Sequence, residues 1–446
     1  MAERPGIPLT YAETIDYLFG LQRMGIKLGL ENISRLLGAI GEPQSRLPAA
    51  HVGGSNGKGS TAAHLEAILM RAGLRVGLYT SPHFVRFTER IRLNRQDISE
   101  PEVVDWTRRI LQAVPDLAVS PQVGSSVPVT FFEFTTAIAL GYFAEKGVDL
   151  AILEVGMGGR LDATNVCLPM VTVITSVSLE HQNYLGRTLA QIAGEKAGII
   201  KPGIPVISGV VHPVAQRIIR DVCQEKGSPL YRLGREIVVA GTPSEFHYWG
   251  LKSSYRGLRT CMRGRHQVRN AALALAAAEL LAERGLGAGE QAIRQGLQDV
   301  QWPGRQQYMQ GPPNILMDGA HNPEAMRSLC SSLARDYRYE RLRVLMGVMK
   351  DKDHRRMLRM IAPMAYEMVF CRPQMDRAQD PWVLQAEALA LGARATVVES
   401  VSQGFQDLVE RAGPEDLICV TGSLFVVGEI MAHFEKNGLP WRQQSA

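Results

Sequence analysis

The stretch Gly53-Gly54-Ser55-Asn56-Gly57-Lys58-Gly59-Ser60-Thr61 separates two segments of opposite character. Residues 49–52 before it form a short apolar run, the kind that makes a buried strand. Residues 60–72 after it carry helical spacing until Gly73 stops them. A glycine-rich turn from strand to helix lets backbone N–H groups curl around a phosphate, and the helix N-terminus adds positive potential. Lys58 can reach the β- and γ-phosphates, and Ser60 or Thr61 can place a hydroxyl on Mg²⁺. The usual P-loop spacing would put Gly at 52 and Ser or Thr at 59. Val52 and Gly59 stand there instead, so this is a variant loop. The competing reading is an ordinary glycine turn. The lysine, the hydroxyls and the strand–helix context together favour a phosphate.

Outward from this loop the chain alternates. Residues 1–48 read as helix, with apolar residues at helical spacing in 11–21 and 32–40. Strands are predicted at 75–79, 149–155, 170–177 and 205–209, and helices at 130–146 and 189–199. Strand alternating with helix predicts a parallel sheet with helices on both faces. Residues 236–239 and 246–249 resemble a small antiparallel piece, and an alanine-rich helix follows over 268–284. Asp299-Val-Gln-Trp-Pro-Gly-Arg305 reads as a linker. Beyond it, strands are predicted at 314–318, 343–347, 367–371, 395–398 and 416–421. The expected fold is α/β. A P-loop ATPase-like doubly wound domain fills 1–300, a linker 301–306, and a smaller Rossmann-like domain 307–446. No Gly-x-Gly-x-x-Gly follows the first strand of the second domain, so it is not read as dinucleotide-binding.

Composition excludes several classes. Of the 446 residues 46% are hydrophobic and 21% charged, which rules out general disorder and leaves room for a full core. The most apolar stretches, 134–144 and 271–282, fall short of the roughly 20 residues a membrane span needs. The opening Met-Ala-Glu-Arg-Pro lacks the basic start and apolar core of a signal peptide. The six cysteines show no zinc-type pairing and are read as reduced thiols, so a cytoplasmic protein is expected. The net charge of +5 is spread along the chain. It suits an anionic small ligand, and no Lys/Arg block points to nucleic acid. Neither nucleic acid nor membrane is expected as a partner, and a monomer is expected.

Several motifs in order resemble the folylpolyglutamate synthase/dihydrofolate synthase family of the Mur-type ligases. They are 51–61, Thr80-Ser-Pro-His83 with Glu89-Arg-Ile-Arg92, Phe131-Phe-Glu133, Glu154-Val-Gly-Met-Gly-Gly-Arg-Leu-Asp-Ala-Thr-Asn165, Glu195-Lys-Ala-Gly-Ile199, Gly264-Arg-His-Gln267 with Asn270, and Asp318-Gly-Ala-His-Asn-Pro323. The resemblance covers nearly the whole chain. It implies a ligase that joins L-glutamate to a pteroate or folate carboxylate with ATP as co-substrate. A carboxylate oxygen is a poor leaving group, so the γ-phosphoryl of ATP is transferred first, giving an acyl phosphate that the glutamate amine attacks. Such chemistry needs cations, positioning and exclusion of water.

Each candidate residue is weighed against that need. Glu154 ends an apolar strand just before glycines, a position suited to Mg²⁺ at the C-terminal edge of a parallel sheet. Its bland reading is a solvated strand-end acid. His181 follows a strand. A lone histidine is more often a structural hydrogen-bonder, but the resemblance makes it a magnesium ligand, although Glu180 stands where the family usually has Asp. Ser81 resembles the family's other hydroxyl near the first metal; the alternative is a turn residue. Lys196 would be a surface lysine from the residues alone. The resemblance implies a lysine carbamylated by CO₂ that binds a second Mg²⁺, so two ions are expected.

The resemblance assigns ATP contacts to Asn56, Gly57, Lys58, Gly59, Ser60 and Thr61. It adds Asn270 at the adenine, with Arg305, Asp318 and His321 at ribose and phosphates, so that ATP would lie between the domains. Lys58, Glu154, His181, Lys196 and His321 are the expected catalytic set, and Ser60, Ser81, Glu154, His181 and Lys196 the expected metal set. Pteridine-side contacts are implied for the turn Leu30, Glu31, Asn32 and Ile33, for Thr130, Phe131, Phe132 and Glu133, and for Leu161, Asp162 and Ala163. Phe131 and Phe132 could stack on a flat heterocycle or equally be core residues.

Three other readings compete. The peptidoglycan amino-acid ligases carry a UDP-sugar domain before the P-loop, where only 52 residues precede Gly53. A P-loop NTPase acting as a switch would need no acyl acceptor. A non-catalytic nucleotide-binding module is disfavoured by the acids and bases at strand ends. Within the family some members only lengthen the glutamate tail. The Gly-Arg-Leu-Asp-Ala-Thr-Asn and Phe-Phe-Glu stretches fit a bifunctional member that also adds the first glutamate to dihydropteroate.

Overall fold

The structure, a computed structural model, describes residues 10–25, 29–114, 129–438 and 442–443. The chain forms two compact units. The first takes the described residues up to 239, with 248–255 and 270–297. The second takes 240–247, 256–269 and the described residues from 298 onward. The two units interleave in sequence between 240 and 297.

The first unit is built on eight strands: β1 Ala49–Gly53, β2 Val76–Tyr79, β3 Ile91–Leu93, β4 Gln96–Asp97, β5 Leu150–Glu154, β6 Val171–Ile174, β7 Val206–Ser208 and β8 Leu230–Arg232. Their order is β4-β3-β2-β5-β1-β6-β7-β8. All pairs are parallel except β2–β3 and β3–β4. Every residue of β1, β2, β5, β6 and β7 is buried. That is why these strands read as unbroken apolar runs rather than alternating ones. A separate three-stranded sheet follows, of β9 Val238–Thr242, β10 Glu245–Trp249 and β11 Ser254–Leu258.

The second unit holds β12 Gln307–Gln310, β13 Asn314–Met317, β14 Leu342–Met346, β15 Glu367–Phe370, β16 Ala395–Val397, β17 Leu417–Thr421 and β18 Arg442–Gln443, ordered β16-β15-β14-β17-β13-β12-β18. The five expected strands form the parallel part. β12 and β18 add an antiparallel edge that the sequence reading did not contain.

The helix Phe131–Lys146 shows how burial decides the pattern. Thr130 caps it through a reciprocal box with Glu133, and Gly147 ends it in the left-handed region at φ 60°. Its apolar residues run all round, because Phe134, Ile138 and Phe143 are fully enclosed by the core. Gly141 is required there, since a Cβ would stand 2.4 Å from the Trp106 ring. Residues 30–33, expected as a turn, instead open the helix Glu31–Ala39, with Asn32 and Ile33 buried. The apolar residues at 33, 36 and 37 need the core, and a helix brings them to one face.

Glu66, 2% exposed on the helix Lys58–Arg71, accepts the backbone N–H of Arg95 at 3.3 Å. Asn94 and Arg95 join β3 to β4 with φ of 49° and 64°, the conformation of a two-residue hairpin turn. Burial pushes the Glu66 carboxyl up to about 7, against the pull of Arg92 and Arg95. A native pKa above the unfolded value of 4.5 means that stability falls as pH rises from there to about 7. Glu66→Gln keeps an acceptor and removes the titration. The variant should match the wild type near pH 5 in urea unfolding and exceed it at pH 8 by on the order of 1–3 kcal/mol. A difference that does not change between the two pH values would contradict this.

Candidate active site

The glycine loop leaves β1 at the middle of the first sheet, with β5 on one side and β6 on the other. Val52 faces Glu154 across one pair and Gly53 faces Ile174 across the other. This is where the winding of the sheet reverses and loops part to form a crevice. Two glycines are demanded by geometry. Gly54 has φ 140°, and a Cβ there would lie 2.0 Å from Thr175 Oγ1. Gly57 has φ 87°, and its Cβ would lie 2.5 Å from Asn270 Oδ1. Asn270 is thus not a helix-surface residue but a buried one set against the loop.

The exit of β6 clamps the loop. Ser176 O accepts from Ser55 N at 2.9 Å and Ser176 Oγ from Asn56 N at 2.8 Å. Asn56 O accepts from Thr175 Oγ1 at 2.7 Å and Ser176 Oγ at 3.0 Å, and Ser55 Oγ accepts from Ser178 N at 3.0 Å. The sequence reading assigned no role to these residues. The signal was Thr175-Ser-Val-Ser178, four residues rich in hydroxyls directly after a strand. Lys58 Nζ donates to Gly54 O at 3.0 Å and Ser55 O at 3.3 Å, so the amine lies over the loop. Ser60 and Thr61 are buried, and Thr61 Oγ1 has no hydrogen-bond partner among the described residues.

Glu154 ends β5 and is buried. Its Oε2 accepts from Ser81 N at 3.4 Å, so two of the expected metal-site residues are neighbours. A carboxylate beside a hydroxyl-bearing residue suits a hard cation. Among the described residues no three His, Cys, Asp or Glu side chains are grouped to hold a metal. Mg²⁺ usually needs only one or two carboxylates, with waters and substrate phosphate oxygens completing its shell. His181 stands at φ 45°, uncommon for a residue with a side chain, at the start of the short helix Gln182–Leu185.

Lys196 is 1% exposed, not a surface lysine, and its Nζ donates to Glu180 Oε1 at 2.7 Å. Burial pushes the amine's pKa down, the Glu180 charge pulls it back up, and the Lys58 charge lowers it further. Burial also works to raise the Glu180 carboxyl, but the Lys196 and Lys58 cations overcome it and hold it well below the usual range.

The folate-side candidates fall into two sets. Ile33, Phe131 and Ala163 belong to one apolar cluster, and Leu30 and Phe132 pack against it. Phe131 is a core residue beneath the Arg90 guanidinium, 5.0 Å away, while half-buried Phe132 stacks on Tyr79 at 5.9 Å. The polar candidates hold the backbone. Thr130 and Glu133 cap their helix. Asp162 accepts from Met157 N at 2.9 Å and Thr164 N at 3.1 Å, fixing the glycine turn before it. Burial raises the Asp162 carboxyl pKa. Arg90 and His83, quoted only as motif residues, form a pair in which Arg90 is buried and His83 half-buried. Arg90 Nε donates to His83 Nδ1 at 2.7 Å, and burial and the Arg90 charge push His83 down to about 3, leaving the ring neutral.

In the second unit Asp318 accepts from Gln306 N at 3.0 Å and Ala320 N at 2.9 Å, and burial raises its carboxyl to about 6 against the pull of Arg305. His321 Nδ1 lies 2.8 Å from Gly319 O, and a Cβ on Gly319 would meet Arg305 Nη1 at 3.0 Å. Asp318, Arg305 and His321 therefore converge on the turn that follows β13.

The comparisons with known proteins decide the lineage. Residues 52–278 match the Mur ligase middle domain, and residues 304–424 match the Mur ligase glutamate ligase domain. The dihydrofolate synthase/folylpolyglutamate synthase of Bacillus subtilis is 34% identical over 434 residues, covering 94% of this chain and 98% of that protein. The chain belongs to the dihydrofolate synthase/folylpolyglutamate synthase family of Mur ligases. Solved members of the family share the fold. E. coli FolC in complex with DHPP and ADP superposes with a TM-score of 0.87 at 32% identity, over 97% of this chain and 99% of that one. A bifunctional folylpolyglutamate synthase/dihydrofolate synthase with Mn, AMPPNP and L-glutamate bound gives 0.85 at 32% identity, over 97% of this chain and the whole of that one. No helix among the described residues is long and apolar enough to cross a membrane.

The loop geometry yields a stability test. Gly57→Ala adds a Cβ in a left-handed conformation and against Asn270. It should lower urea-unfolding stability by about 1–3 kcal/mol while leaving the circular dichroism spectrum unchanged. Wild-type stability in this variant would remove the requirement for glycine.

Proposed function

We propose that this chain is an ATP-dependent acid–amino-acid ligase that adds L-glutamate to dihydropteroate and to the γ-carboxylate of reduced folates. The observation that carries the reading is the clamped glycine loop with Lys58 folded over it, in a chain aligned end to end with bifunctional members of its family. The relative solved with ADP and DHPP and the one solved with Mn, AMPPNP and L-glutamate support the same substrates here.

The loop amides and Lys58 would neutralise the ATP phosphates, with Lys58 following the γ-phosphoryl as it moves to the substrate carboxylate. Asn56, Gly57, Gly59, Ser60 and Thr61 would line the phosphates, and Asn270 would meet the adenine. In the second unit Arg305, Asp318 and His321 are assigned to the nucleotide. The acyl phosphate then meets the glutamate amine, a tetrahedral intermediate forms, and phosphate leaves.

Magnesium would be held by Ser60, Ser81, Glu154 and His181, with a second ion on a carbamylated Lys196. When bound, it supplies positive charge against the phosphates and the acceptor carboxylate. Phe132 and Leu161 would touch the ring system, and Asp162 would hold the turn beside them. Buried Ile33 and the capping Thr130 and Glu133 would shape the wall behind. The six free cysteines accord with a reducing cytoplasm, and we take the protein to act as a monomer. The family matches end at 278 and resume at 304, which supports a domain boundary near 301–306.

Phosphate release tests the function directly. It should require an acceptor and glutamate, and should proceed with both dihydropteroate and reduced folate. Release with reduced folate alone would leave only the tail-lengthening activity. Equal release without any acceptor would make the chain an NTPase. In the same assay Lys58→Ala should lower the rate by roughly 10²–10³ in a folded protein.

Lys196 has its own test. Carbamylation joins the neutral amine to CO₂ and releases a proton, so burial that disfavours the ammonium helps it. Lys196→Ala should lose activity and recover part of it with a short-chain carboxylic acid. Recovery with an alkylamine instead would assign an ammonium role.

A further inference from the structure

Asn165 lies outside every role assigned above, yet it touches both functional segments of the first unit. It is 5% exposed, and its Nδ2 donates to Arg160 O at 2.9 Å and to Gly198 O at 3.2 Å. Arg160 belongs to the glycine turn that Asp162 fixes. Gly198 is the C-terminal cap of the helix Leu189–Ala197, which carries Lys196. The backbone of Asn165 is held as well: its N–H donates to Asp162 O at 2.8 Å, and its C=O accepts Lys201 Nζ at 2.8 Å.

Around this residue the two segments meet backbone to backbone. Arg160 N donates to Glu195 O at 2.8 Å, and the Arg160 guanidinium pairs with Glu195 at 2.9 Å. A Cβ on Gly159 would stand 2.8 Å from Glu195 O, and one on Gly198 would stand 2.3 Å from Arg160 Cβ. Neither Gly159 nor Gly198 has room for a side chain at this seam, so a small shift in one segment must displace the other. The Asn165 amide bonds to main-chain carbonyls on both sides of this seam.

We propose that Asn165 is a positioning residue. It pins the Asp162 turn to the Lys196 helix, so that the acceptor side and the Lys196 side of the site keep a fixed separation during the reaction. The inference rests on the proposed ligase reading for its kinetic consequence, but not for its structural one. A near-attack geometry held across two segments is sensitive to small displacements, and a shift of about 1 Å can cost on the order of 10²-fold in rate.

Two variants of the full-length protein test it. Asn165→Ala removes both donors, and Asn165→Asp keeps the shape but presents oxygen to two carbonyls. Both should lower kcat by roughly tenfold or more and raise the KM for dihydropteroate, with the KM for ATP unchanged. A merely structural role would move both KM values together. Hydrogen exchange provides a readout independent of activity. Exchange should rise together in 156–162 and 195–200 in each variant, while 53–61 stays as protected as in the wild type. Faster exchange in only one of the two segments, or kcat and both KM values unchanged in Asn165→Asp, overturns the proposal. If the wild type fails to use dihydropteroate while the two segments still loosen together, the substrate assignment falls and the pin stands.

Discussion

The first unit depends on how closely backbone can approach backbone at the end of β1. Gly54 sits where a methyl group would overlap the Thr175 hydroxyl and crowd the backbone of Ser176, and Gly159 is restricted in turn by the Glu195 carbonyl. These contacts draw the exits of β1, β5 and β6 into one place. Glu154, Lys58 and the Thr175–Ser178 hydroxyls can then share a crevice, although Lys58 lies 96 residues before Glu154 and 117 before Thr175 in sequence. Close packing of this kind has few ways to relax, so it fixes positions to a fraction of an ångström and leaves charge as the quantity that varies.

That charge is concentrated and buried. Lys196 and Glu180 form an enclosed pair with Lys58 nearby, and Arg90 is buried against His83 and Phe131. Taking ions out of water is costly unless each keeps a partner, and losing one partner typically costs about 3–5 kcal/mol. While Lys196 carries an ammonium, Glu180 therefore has a structural reason to be present; on a carbamylated Lys196 the cations left to hold it are Lys58 and a bound metal ion. The ion pair also explains how a longer acid is tolerated where the family usually has Asp, since the Glu180 carboxylate reaches Lys196 at hydrogen-bond length.

The sequence revealed what depends on local rules. The strand–glycine–helix signal located the loop, and unbroken apolar runs marked β1, β2, β5 and β6 because both faces of each are covered. The short edge strands β3, β4, β12 and β18 were not legible, since two to four residues carry no usable period and are held by their neighbours. Partnership was harder still. Nothing near Lys196 announces Glu180, sixteen residues away, or shows that Thr130 and Glu133 are occupied in capping. Asn270 read as a surface residue because its burial comes from the glycine loop, on a distant segment.

The displaced hydroxyls of the loop follow from helix geometry. Each step along a helix turns a side chain by about 100°, so moving a hydroxyl from position 59 to 60 or 61 changes the direction it faces. Gly59 leaves the usual position without a side chain, and Ser60 and Thr61 face inward from the next two. The exit of β2 places a further hydroxyl-bearing residue beside the strand-end carboxylate, since the Ser81 backbone N–H donates to Glu154. On the proposed assignment Ser60 serves both the phosphates and the first metal, and Ser81 and Glu154 reach that metal from other strand exits. Lys58 and the loop amides follow the phosphoryl group, and Ser81 with Glu154 stays fixed on the sheet.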